Sequence, residues 1–118
     1  MERDPRACLW DVKQAANAIL RFSAGLDAAS YADNPLVRSA VERQFEIIGE
    51  ALNQLSKVAP NLAHRIPHIR DIIGFRNVLI HGYAVIDDVR VWHIAQTSLP
   101  GLRDAVSALL AELEPPDA

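Results

Sequence analysis

Apolar positions recur along this chain at alternating steps of three and four, the period of one face of an α-helix. From Cys8 they run through Val12, Ala15, Ile19, Phe22 and Leu26, directly after Asp4-Pro5. Asp offers a side-chain acceptor to free backbone N–H groups, and Pro sits where no N–H is needed, so a helix should start there. Asn34-Pro35 repeats the signal ahead of Val37, Val41, Ile48, Leu52 and Leu55, a second helix that reaches Lys57 and stops at Pro60. Its other side carries a polar stripe of Glu42, Glu46, Gly49 and Asn53 with Glu50 alongside, and Gly49 would let another backbone approach closely. A third helix is expected to begin near Pro67, to run through Ile69, Ile72, Ile73 and Leu79, and to close at Gly82. Asp87 or Asp88 should cap a fourth, with Trp92, Ala95, Leu99, Leu102, Val106, Leu109 and Leu113 along one seam and a kink at Pro100.

Short connections between amphipathic helices predict an all-α fold, a four- to five-helix antiparallel bundle, with the seams also able to serve a homodimer. The expected organisation is one helical domain over residues 1–113 and a frayed C-terminal tail over 114–118. Composition agrees: 118 residues suit a single domain, half are hydrophobic and only 6% are aromatic. No apolar run has the length of a signal peptide core or a membrane span, and the single cysteine, Cys8, falls among apolar neighbours. A cytoplasmic protein with no membrane association is expected, with Cys8 as a small buried hydrophobe.

A net charge of −3 argues against a surface coated for general nucleic-acid binding. Its distribution changes the picture. Between His64 and His81 lie His64, His68, His81, Arg65, Arg70 and Arg76, against the single acid Asp71. "RNVLIHGY", residues 76–83, holds four of the chain's hydrogen-bonding and proton-transferring groups around an apolar centre. On an ideal helix Arg76 and His81 point about 140° apart, so a helix break at Gly82 is needed to bring them to one substrate, whereas Asn77 and His81 share a face. Two readings follow. One is a buried polar knot tying the third helix to the Glu46/Glu50 stripe. The other is a working site that combines a permanently charged phosphate clamp, an imidazole and a phenol.

"RNVLIHGY" resembles the arginine, four residues, histidine, any residue, tyrosine signature of the HEPN superfamily, in particular its HepT-like branch. The likeness extends to "ERQFEIIGEALNQLSK", which resembles that branch's second helix, and to "IIGFRNVLIHGYAVIDDVRVWHIAQTSLPGL", which follows its third and fourth. One departure is His68-Ile69, where many relatives carry Pro-Trp. The resemblance implies the toxin of a type VII-like toxin–antitoxin module, a metal-independent endoribonuclease with no cofactor that acts as a homodimer on RNA. It assigns Arg76 and His81 to catalysis, Asn77 to support of that pair, and Tyr83 to AMPylation by a cognate nucleotidyltransferase (MntA-like) antitoxin.

Further positions follow from residue type. Arg65, His68 and Arg70 are candidates for RNA-phosphate contacts, and Glu46 and Glu50 for carboxylates that orient an arginine, Arg70 or Arg76. No metal site is expected. His64 and His68 lack a third ligand nearby, and the glutamates lack the Glu-x-x-His elements of a di-metal bundle. Trp92 reads as packing and His93 as surface. The alternative function is a non-catalytic helical module that binds a nucleotide or a protein in the same pocket.

Overall fold

A computed structural model describes residues 3–80 and 87–113, which form seven helices: α1 (Pro5–Ser23), α2 (Ala28–Ala32), α3 (Pro35–Val58), α4 (Pro60–Ala63), α5 (Ile69–Ile80), α6 (Asp88–Thr97) and α7 (Leu99–Leu113). The all-helical expectation holds, and no strand occurs among the described residues. No helix among them is long and apolar enough to cross a membrane.

The start signals act as read. The Asp4 carboxylate accepts from the Arg6 N–H at 2.8 Å and the Asn34 side chain accepts from the Val37 N–H at 3.1 Å. Asp87, rather than Asp88, caps α6, accepting from the Val89 and Arg90 N–H groups at 3.0 and 3.2 Å. Asp88 is thereby free to bridge to Arg38 on α3 at 2.9 Å. The third helix begins at Ile69, directly after His68, whose φ of 59° turns the chain out of the preceding segment. Its expected closure at Gly82 lies outside the described residues.

Helix α3 is central: α1 packs on one side of it and α5 on another, while α7 packs against α1 and α6 against α7. Leu9, Val12 and Ile19 from α1 meet Phe45, Ile48, Leu52 and Leu55 from α3 in one core that Phe75, Val91, Leu102 and Val106 complete. Phe45 and Phe75 hold α3 to α5 edge to face, with centroids 5.3 Å apart. Tyr31 from the short α2 packs on Trp92 of α6 at 5.2 Å. Cys8 is fully buried in this core, as expected.

Three features differ from the sequence reading. The α1 seam ends early: Phe22 is 38% exposed, Leu26 lies beyond the helix, and the buried residue at that end is Ser23. Its hydroxyl escapes desolvation without a partner by donating to the Ile19 carbonyl at 2.8 Å. Secondly, the fourth periodic run is two helices, not one kinked helix. Ser98 separates them and Pro100 occupies the first turn of α7, where its missing N–H costs no hydrogen bond. The short helices α2 and α4 were not foreseen, since pieces of five and four residues carry no readable period.

Candidate functional site

The expected close approach at Gly49 is real, and its partner is Arg76. A Cβ built on Gly49 would collide with the Cβ and Cγ of Arg76, so the absence of a side chain on α3 lets α5 lay its arginine directly across the helix. The guanidinium is then held from two sides. Its Nη2 donates to Glu50 Oε2 at 2.7 Å and its Nη1 donates to Asn77 Oδ1 at 2.9 Å. The Arg76 side chain retains 23% exposure, while its Nε is buried without a hydrogen-bond partner among the described residues. A guanidinium has five N–H donors. Among the described residues, Glu50 and Asn77 each engage one terminal nitrogen of the guanidinium.

The network extends further. Glu50 Oε1 accepts from Gln54 Nε2 at 3.3 Å, Gln54 Oε1 accepts from Arg3 at 2.9 Å, and Arg3 also pairs with Asp11. Arg3, Asp11, Glu50 and Arg76 of this network line an open groove of about 240 Å³, together with Arg43, Glu46 and Ile80 among others. Glu46 lines the groove but pairs with Arg43 at 3.1 Å, so of the two carboxylates considered for an orienting role only Glu50 engages Arg76.

Elsewhere the expected phosphate contacts separate. Arg65 bridges to Glu112 at the far end of α7, at 2.6 Å, which holds the Glu112 carboxyl below its ordinary range. His68 is exposed, with Nδ1 3.8 Å from Asp71. Arg70 is exposed and has no carboxylate partner among the described residues. His81 and Tyr83 lie outside the described residues, so the site is built here from Arg76, Asn77 and their supports. Arg3, Asp11, Gln54 and Arg43 were missed in the sequence. Nothing in the periodicity of α1 or α3 marks them, because they join the groove or its hydrogen-bond network only when the two helices pack.

Comparison with known proteins identifies the family. The family described as Ribonuclease HepT-like matches residues 12–109. The Methanocaldococcus jannaschii protein named Putative RNase MJ1380 is 32% identical over 89% of this chain and 95% of its own length. A second from the same organism, Putative RNase MJ0125, is 30% identical over 96% of this chain and 97% of its own. Probable ribonuclease HepT of Thermococcus cleftensis is 28% identical over 87% and 93%. No solved structure matches the chain. The arginine fixed over Gly49 therefore sits in a chain that belongs to the HepT-like ribonuclease family.

Proposed function

We propose that this protein is the ribonuclease toxin of a type VII-like toxin–antitoxin module, cleaving RNA without a metal through Arg76 and His81. The observation that carries the reading is the Arg76 guanidinium, clamped by Glu50 and Asn77 on the lining of an open groove. RNA brings its own nucleophile. The 2′-OH attacks the adjacent phosphorus, the 5′-oxygen leaves, and no metal-bound water is required. Negative charge grows on the non-bridging oxygens, where a fixed guanidinium stabilises it without reorganising. His81, five positions on, takes the proton of the 2′-OH or returns one to the leaving oxygen; an ordinary imidazole pKa of about 6.5 suits either task. A single imidazole does not easily do both. Two copies of the motif in a homodimer supply a base and an acid.

Family membership and the relatives' names support the RNA substrate. The antitoxin, AMPylation of Tyr83 and the dimer are carried by the motif resemblance. The test is RNA cleavage by purified protein in EDTA, wild type beside His81→Ala, with helicity followed by circular dichroism. Cleavage lost in a folded variant is expected, and equal cleavage by the variant refutes the assignment. Binding of RNA with no cleavage by either protein would favour a non-catalytic module.

A further inference from the structure

On the opposite side of α5 from Arg76 lies a second and larger groove, about 520 Å³, open between α5 and α6. It exists because α5 packs chiefly on α3 and leaves its far side uncovered. Its lining includes His68, Arg70, Gly74, Arg90 and His93, with Asp71 as the acid.

The charge here is distinctive in an acidic protein. Seven of the arginines, Arg3, Arg6, Arg38, Arg43, Arg65, Arg76 and Arg103, are ion-paired among the described residues. Arg21 lies over the ring of Phe22. Arg21, Arg70 and Arg90 have no carboxylate partner among the described residues, and of these Arg70 and Arg90 both line this groove with two of the four histidines. Arg90 is not loose: its guanidinium carbon sits 5.6 Å from the centroid of Phe75, over a ring that is itself buried. Such a guanidinium offers a phosphate ligand on its edge and a stacking plane on its face.

Gly74 is the second, independent observation. It stands in the interior of α5, where glycine is worse than alanine by about 1 kcal/mol. Unlike Gly49, it faces no neighbour: a Cβ there would meet nothing within 4 Å. Packing therefore does not require glycine at this position, and the groove floor beside it is open.

We propose that this groove binds a segment of single-stranded RNA away from the scissile bond, with Arg70 and Arg90 on its phosphates, a base stacked on Arg90, and His68 and His93 at its edges. The proposal rests on the ribonuclease reading and extends it. Gly74 and Arg76 are two positions apart, roughly 160° around the helix, so a strand leaving the Arg76 groove reaches the second one by passing over one helix. RNA is favoured over an acidic protein segment because the groove pairs cations with a stacking surface, which acidic side chains would not use.

The test measures binding of a long unstructured RNA in EDTA, in a His81→Ala background so that no strand is cut. Arg70→Ala/Arg90→Ala should weaken binding on the order of tenfold and lower the salt slope by about 1.4, the value for two single-strand phosphate contacts. Gly74→Glu, which adds a like charge in open space, should weaken it comparably, while Gly74→Ala binds as the parent does. With active enzyme, the ratio of kcat/KM for long RNA to that for a dinucleotide should fall in Gly74→Glu. Unchanged RNA affinity in Gly74→Glu overturns the proposal, as does failure of the parent protein to bind RNA. Capture of polyglutamate at this groove without an effect on RNA would also overturn it, assigning the groove to an acidic protein. If RNA is bound and never cut, the ribonuclease reading fails while the groove is still tested by affinity.

Discussion

Gly49 and Arg76 occupy one space: the arginine's first two side-chain carbons stand where a side chain at position 49 would begin. Neither atom is the far end of a flexible chain. Any Cβ at 49 must push α5 away from α3 or drive Arg76 off its rotamer.

Gly49→Ala is thus expected to destabilise the protein by about 1–3 kcal/mol, the range for overpacking a filled interface, even though alanine is the better helix former. It should also reduce RNA cleavage in the fraction that remains folded, because the guanidinium moves with its helix. Urea denaturation and activity per folded molecule measure the two effects. A stabilised variant with unchanged activity would show that α5 does not bear on Gly49 in solution.

Glu50 holds Arg76 through a charge-assisted bond, yet it is 46% exposed, so its contribution to stability is the modest one of a partly solvated pair, about 1 kcal/mol or less. Its effect on chemistry should exceed its effect on folding. Glu50→Ala leaves Arg76 with Asn77 as its hydrogen-bond partner, and cleavage is expected to fall about tenfold through kcat, with Tm lowered by only a few degrees. Glu46→Ala is the control, since that carboxylate pairs with Arg43 instead. Equal losses in both variants would mean that the groove's overall charge matters, not the orientation of Arg76.

The helix starts and the contact between α3 and α5 were legible in the sequence. Asp4-Pro5 and Asn34-Pro35 marked helix starts because cap chemistry is local, and Gly49 marked a close approach because a glycine within a strong helical period needs a reason. The rival reading of a polar knot also found its counterpart: Arg76 does tie α5 to the Glu50 stripe. What could not be read depends on packing between distant segments. Arg3 reaching Gln54, Arg65 reaching Glu112, and the groove at Gly74 arise from how rigid helices meet, which no period within one helix records.

Glu42 predicts a pH effect. Burial, reinforced by Asp88 and Glu46 and opposed by Arg38, holds its carboxyl above the usual 4.5. The folded chain then binds that proton more tightly than the unfolded chain, so the stabilisation is complete below pH 4.5 and is lost as pH rises through the elevated value. Asp4 and Asp27 act oppositely. Hydrogen bonds, chiefly from Arg6 and Ser30 respectively, hold both below 3.8, and their contribution is lost as pH falls through those lowered values. Glu42→Gln should therefore raise the urea midpoint at pH 7 and leave it nearly unchanged near pH 4. A midpoint lowered at pH 7 would show that attraction to Arg38 outweighs burial.

Tyr83 stands two residues beyond His81 in the chain, so on the proposed function an AMP group on its hydroxyl would carry a phosphate close in sequence to the arginine and histidine assigned to RNA cleavage. A guanidinium proposed to stabilise a scissile phosphate would hold that ester as well, and a tethered anion at a high effective concentration would compete with RNA for it. Co-expression with a cognate nucleotidyltransferase should add AMP-sized increments to the intact mass, abolish RNA cleavage, and do neither in Tyr83→Phe. The phenylalanine variant should remain an active nuclease that the transferase cannot silence by modification. An increment that persists in Tyr83→Phe, or modified protein that still cuts RNA, would remove the tyrosine from the switch and leave Arg76 and His81 to be tested separately.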